Sequence, residues 1–186
     1  VNGRLAMRVS PTLVKAGTPL AETREAYNAV SIVGDAVGRM FFHGLGAGQM
    51  PTASAVVADI IDTVVGRAAI TFRTTGLLDP DSPAARIAGV EMPERHFLRI
   101  PVLDRPGVMA EISGTLGRHG ISIASLIQHE TGMPGPVPMV IMTHHASPAA
   151  VAGALTEIAA CDAVQGTSAC LPVLDDWQPA AEHLEG

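Results

Sequence analysis

The sequence predicts an α+β chain in two parts, a β-rich first segment with one long helix and then a βαββαβ module. Three observations predict it. The alternation Leu98, Ile100, Val102 runs through Asp104-Arg105-Pro106-Gly107 into a helical pattern that His119-Gly120 stops. Two more apolar runs and a second helical period follow between Ile121 and Val173. Upstream, short apolar runs at 29–33 and 39–43 precede a period-3.6 pattern from Ala53 to Ala68.

Composition sets the bounds. The chain has 186 residues, 47% hydrophobic and 16% charged, which is enough to bury a sizeable core in one large domain or two small ones. A net charge of -6 argues against a nucleic-acid partner, because phosphate binding needs clustered Lys and Arg. Lys15 is the sole lysine. No apolar run reaches the roughly 18–20 residues that span a bilayer, so no membrane role is expected. Cys161 and Cys170 fit no metal spacing and read as free thiols of a reducing, cytoplasmic compartment. The chain begins at Val1 without Met and reads as starting inside a larger protein.

In order, Arg4–Val9 alternates as a half-buried strand that Ser10-Pro11 ends. Ala29–Val33 and Arg39–His43 form a hairpin across a five-residue link, Gly34–Gly38. Three strands without a crossover make an incomplete sheet, unlikely to stand alone. The helix at 53–68 carries Val56, Val57, Ile60, Ile61, Val64 and Val65 on its inner side. Pro51 suits its start, Thr52 or Ser54 its cap, and Asp59 and Asp62 its wet face. The preceding Gly44-Leu45-Gly46-Ala47-Gly48 brings backbone amides to a helix N-terminus, where an anion can be held. It matches neither G-x-G-x-x-G nor a P-loop, so spacing alone favours a plain strand–helix turn over a phosphate or cofactor role.

Stacked turn signals over 74–83 mark a linker between about residues 71 and 94, with a short helical stretch at 84–90. In the module, 95–175, strands are expected at His96–Val102, Ile121–His129, Val137–Thr143 and Ala163–Val173, the last interrupted by Gly166. The helices are Pro106–Arg118, with Val108, Met109, Ile112 and Leu116 inward, and one opened by Ser147-Pro148, with Val151, Ala154, Leu155 and Ile158 inward. Pro138 belongs near a strand start or on an edge. This order forms a ferredoxin-like antiparallel sheet with both helices on one face, which leaves the other face and the edges for self-association. His119, His129 and His144-His145 read as cap or surface residues, without a third ligand for a metal. Residues 176–186 read as a tail.

Residues 34–38 (G-D-A-V-G) and 44–60 (G-x-G-A-G-x-x-P-T-A-S-A-V-V-x-D-I), with V-S-P-T-L-V at 9–14 and N-A-V at 28–30, resemble the C-terminal end of the homoserine dehydrogenase catalytic domain. The resemblance assigns residues 1–70 to that domain and implies a nicotinamide cofactor, NADP or NAD, contacted at Gly48. It also implies a Rossmann fingerprint, a proton-shuttling lysine and homoserine-binding carboxylates; none of the motifs here supplies them, and Lys15 has no such role. No catalytic residue is therefore expected in this chain. L-D-R-P-G-V-M-A-E-I (103–112) followed by H-G-I-S-I-A-S-L (119–126) resembles the ACT domain, an amino-acid-binding regulatory module.

The ACT resemblance implies an effector, threonine first, at a subunit interface of a homo-oligomer. The matching positions are Asp104 and Ser122, with Gly107, Val108 and Met109 supplying backbone. Some amino-acid-binding ACT domains carry asparagines where this chain has Asp104 and Ser122, so ligand identity stays open. The residues themselves allow Asp104 to be a helix cap and Ser122 an ordinary strand residue. Two roles are expected: part of an enzyme interconverting aspartate semialdehyde and homoserine, inactive alone, or a free-standing ACT-type binding or dimerisation module.

Overall fold

A computed structural model describes residues 8–75, 92–129 and 135–174. The chain divides into two units, Val1–Met7 with Lys15–Val90 and Arg8–Val14 with Glu91–Gly186. Residues 4–7 of the expected first strand, residues 76–91 of the expected linker with its 84–90 helix, and the tail lie outside the described residues.

In the first unit, β1 (Tyr27–Gly34) and β2 (Gly38–Leu45) pair antiparallel. Gly34 and Gly38 face each other, so the connection is three residues rather than five, with Gly38 at φ 71° closing it. Helix α1 (Gln49–Val64) starts four residues before the expected position. Pro51 falls among the first four helical residues, whose amides need no intrahelical acceptor, and is tolerated there. Neither Thr52 nor Ser54 caps it: the N-cap is Gly48, with no side-chain bond. The helix also stops early, because Gly66 takes the left-handed conformation at φ 81°. A second helix, α2 (Arg67–Thr75), replaces what reads in sequence as a helix end and linker. Arg67 Nε reaches back 2.8 Å to Asp62 Oδ1. No residue of α1 or α2 is buried; Ile60 is 57% exposed and Val56 52%.

The second unit has the expected topology. Its elements are β3 (Arg95–Val102), α3 (Val108–Arg118), β4 (Ile123–Gln128), β5 (Val137–Thr143), α4 (Pro148–Ala159) and β6 (Ala169–Val173). The sheet is antiparallel in the order β4-β5-β3-β6. Burial alternates strictly along β5, and Leu98, Ile100 and Val102 of β3 share the inner face with Met139 and Ile141. Against them pack Val108, Ile112 and Leu116 of α3 and Val151, Ala154 and Ile158 of α4. Ser147 caps α4, accepting from Ala150 N at 3.2 Å, and Pro148 opens it.

Several expectations need correction. Helix α3 begins at Val108, not Pro106, and Met109 is 48% exposed. Met109 follows Val108 by 100° of helical rotation, which carries it off the 108–112–116 stripe; Thr115 takes the buried place. Strand β4 is shorter than 121–129 and carries an irregularity between Ile123 and Ser125. Val164 makes only an isolated bridge to Val102, and β6 proper starts at Ala169, beyond Gly166 at φ 111°. Pro138, by contrast, lies near a strand start as expected: it is the second residue of β5, a central strand, opposite Pro101. It lies one residue past the Gln128↔Met139 pair, where no β4 partner needs its missing amide.

The N-terminal segment is the largest departure. Arg8 and Val9 carry no strand, and Ser10-Pro11 precedes pairing instead of ending it. Leu13 lies parallel to the outer edge of β6: Leu13 N donates to Pro172 O at 2.9 Å and Leu174 N to Leu13 O at 2.8 Å. Arg8 Nη1 pairs with Glu94 Oε1 at the start of β3.

Candidate functional site

The turn between β3 and α3 is built to leave hydrogen-bonding groups free. Leu103 N is tied to Ala163 O at 2.8 Å and Arg105 N to Leu103 O at 3.0 Å, which bends the chain sharply after β3. Gly107 then adopts φ 95° as the N-cap of α3, a conformation that favours glycine and offers no capping side chain. The first backbone bond inside the helix runs from Glu111 N to Gly107 O. Among the described residues, no hydrogen bond occupies the amides of Met109 or Ala110, which point out of the positive end of the helix.

Asp104 does not cap α3. Its Oδ1 instead accepts from Gln128 Nε2 at 3.1 Å. Asp104, Arg105, Pro106, Gly107, Val108, Met109 and Gln128 line an open cleft of about 390 Å³. A carboxylate on one wall and unpaired amides on another can receive the ammonium and carboxylate of an amino acid.

The structure thus brings Asp104, Gly107, Val108 and Met109 together, and does not bring Ser122 to them. Ser122 is exposed at the opposite end of β4, its carbonyl accepting from His144 N at 2.8 Å. Strands β3 and β4 point the same way because each is antiparallel to β5. The turn after β3 therefore lies beside the end of β4, and the start of β4 is about 20 Å away by strand rise. The same topology supplies Gln128, which sequence reasoning missed; only the strand order places it at the turn.

In the first unit, the loop before α1 is set by close packing. A Cβ on Gly46 would lie 1.9 Å from Asn28 Nδ2, so only glycine fits beside that side chain. Gly48, at φ 121°, ends the loop at the uncapped N-terminus of α1. This backbone can approach a ligand closely, with Pro51 the nearest side chain to a Cβ built there.

Two histidines lie beside carboxylates. His119 Nε2 lies 2.9 Å from Glu157 Oε2, and Arg118 bonds the other oxygen; these contacts, Arg118 first, hold the Glu157 carboxyl below its usual range. His96 is buried, its amide bonded to Thr143 Oγ1 at 2.9 Å and its Nε2 3.5 Å from Glu94 Oε1, while Nδ1 has no hydrogen-bond partner among the described residues. Burial pushes its pKa down, against a smaller upward pull from Glu94. Burial likewise raises both thiols, Cys161 and Cys170, which are free. Among the described residues no three His, Cys, Asp or Glu side chains cluster to hold a metal, and no helix is long and apolar enough to cross a membrane.

The sequence model of the homoserine dehydrogenase family matches residues 1–61, and that of the ACT domain matches residues 96–160. Homoserine dehydrogenase of Pseudomonas aeruginosa is 35% identical over 169 residues, covering 86% of this chain and 38% of the relative. That of Synechocystis is 34% identical, covering 91% and 40%. The crystal structure of a homoserine dehydrogenase from Thiobacillus denitrificans superposes with a TM-score of 0.68 at 32% identity, over 89% of this chain and 38% of that one. The chain spans about two fifths of the length of the curated relatives it matches.

Proposed function

We propose that this chain, the C-terminal region of a homoserine dehydrogenase joined to an ACT domain, works in the cytoplasm as the regulatory end of an enzyme that interconverts aspartate semialdehyde and homoserine. In this reading residues 1–70 complete the catalytic domain, 71–94 link it to the module, and 95–175 sense an amino acid, threonine, the end product of the route through homoserine. The observation that carries it is the cleft at the β3–α3 turn, where an uncapped helix N-terminus faces the Asp104 carboxylate.

The edges of the sheet support assembly into a homo-oligomer. Leu13 occupies the edge at β6, whereas the outer edge of β4 pairs with nothing among the described residues. An open edge is a template for a second strand. Two β4 strands joined antiparallel about a twofold axis set the start of one beside the end of the other. Ser122 of the second copy then approaches Asp104 and Gln128, so the predicted effector residues meet across an interface and not within one chain.

For NADP or NAD, the residues present fit a single contact: Gly48, with its bare backbone at the start of α1. A bound reduced cofactor would supply hydride, and the bare backbone at Gly48 would contact it; the fingerprint and lysine of the reaction must come from outside the motifs seen here. Purified chain that oxidised homoserine with NADP unaided would overturn this division of labour.

Calorimetry tests the regulatory reading. Threonine is expected to give saturable heat with the wild-type chain and none with Asp104→Ala. Equal heats from both proteins would remove Asp104 from the site.

A further inference from the structure

Glu94 stands where the edge strip, β3 and the loop after β5 meet. Just before β3, its amide donates to Ala146 O at 3.0 Å, which fixes its backbone. Its Oε1 has two nitrogen neighbours, Arg8 Nη1 from the strip and, at 3.5 Å, Nε2 of His96. The strip Arg8–Val14 is held at this corner by that ion pair and by the bonds of Leu13 to Pro172 O and Leu174 N.

The neutral imidazole suits the corner and the charged one does not. His96 is 4% exposed, and its Nδ1 has no hydrogen-bond partner among the described residues. A second proton turns Nδ1 into a buried donor without an acceptor, on a ring that now needs a counter-charge. The carboxylate within reach is Glu94, whose Oε1 Arg8 already holds. Burial most opposes a proton on the ring, Glu94 favours one, and Arg8 opposes it. The other groups around the corner do not relieve it. From β6 comes Cys170, its thiol pushed up by burial first and by Glu94 second. β5 ends in the neutral Thr143, whose carbonyl takes Arg95 Nε at 3.2 Å, before His144 and His145. Helices α3 and α4 cover the inner face with apolar side chains, and Arg118, His119 and Glu157 at their ends bond one another.

We infer that a proton on His96 and the Arg8–Glu94 pairing exclude each other, so that acid loosens the strip on the β6 edge. The charged ring must draw Glu94 to itself or turn toward water, and either movement disturbs the oxygen that Arg8 occupies. Coupling of this kind is reciprocal: a strip held by Arg8 resists the proton, and the proton resists the strip. The shielding of the β6 edge thereby answers to pH.

Nuclear magnetic resonance on the full chain between pH 7 and 5 tests the coupling. Exchange of the Leu174 amide, which donates to Leu13 O, reads the strip, and the ring resonances of His96 read the proton. Corrected for the pH dependence of chemical exchange, protection at Leu174 is expected to fall roughly two- to fivefold in step with the His96 titration, the value of one partly exposed ion pair. In Arg8→Met, at an exposed position, protection starts at the lower level and stays flat, and His96 takes its proton at higher pH. His96→Gln stays flat at the higher level; should it fail to fold, Arg8→Met alone decides. Protection that falls as far in either variant as in wild type, or stays flat in wild type while His96 titrates, overturns the coupling. A His96 ring that remains neutral down to pH 5 in wild type and Arg8→Met alike overturns it as well.

Discussion

Gln128 donates from Nε2 to Asp104 Oδ1 across 3.1 Å, joining the end of β4 to the turn after β3. Asp104 thus bonds Gln128 and leaves α3 without a side-chain cap. Asp104→Ala is therefore expected to change unfolding free energy by less than about 0.5 kcal/mol, as for an ordinary surface site. A true N-cap would cost about 1 kcal/mol. Urea titration separates the two, and a loss on the larger scale would mean that Asp104 serves the helix after all.

His96 makes stability depend on pH. Its folded pKa lies below the ordinary imidazole value of 6.5, because burial penalises the charged ring. The unfolded chain thus binds the proton first as pH falls. The stabilisation is full above the unfolded pKa and is lost as pH drops from about 6.5 toward the folded value. His96→Phe removes both the titration and the unpartnered Nδ1. Melting temperature between pH 7 and 5 should fall less steeply in that variant, and parallel curves would exclude His96 as the source.

The two units should answer core truncation differently. Leu98→Ala removes a fully buried side chain at the centre of the module and is expected to cost about 2–5 kcal/mol. Ile60→Ala, on a helix with no buried residue, should cost under about 1 kcal/mol in this chain. Chemical denaturation of both variants checks the contrast.

The pairing of Leu13 with β6 predicts slow exchange at the Leu174 amide, which donates to Leu13 O. Leu13→Pro deletes the donor to Pro172 O, at a cost of about 0.5–1.5 kcal/mol. Hydrogen exchange should show the protection at Leu174 reduced in that variant. Unchanged protection would show that the segment does not hold the edge.

The module was readable from sequence because local signals agreed with one another. Ser147-Pro148 announces α4, His119-Gly120 closes α3, and the period of two through β5 survives because one face is wholly buried. The errors came from single residues that break a local period and from long-range partners. Met109 is apolar but one residue off the buried stripe, and Gly66 splits a run that periodicity alone joins. Gln128 became part of the cleft only through strand order. Leu13, 160 residues from Val173 in sequence, carries no local sign that it will lie beside it.

That last pairing makes the second unit discontinuous: residues 15–90 are inserted between its edge strip and its sheet. A βαββαβ module excised at residue 95, where sequence pattern places its border, would be released with its β6 edge stripped bare. Such a fragment can recruit a stranger at β6, and an oligomer measured on it reports the cut and not the protein. Fusing Arg8–Val14 back onto the excised module, by a linker long enough to restore the parallel pairing, would return the shielded edge.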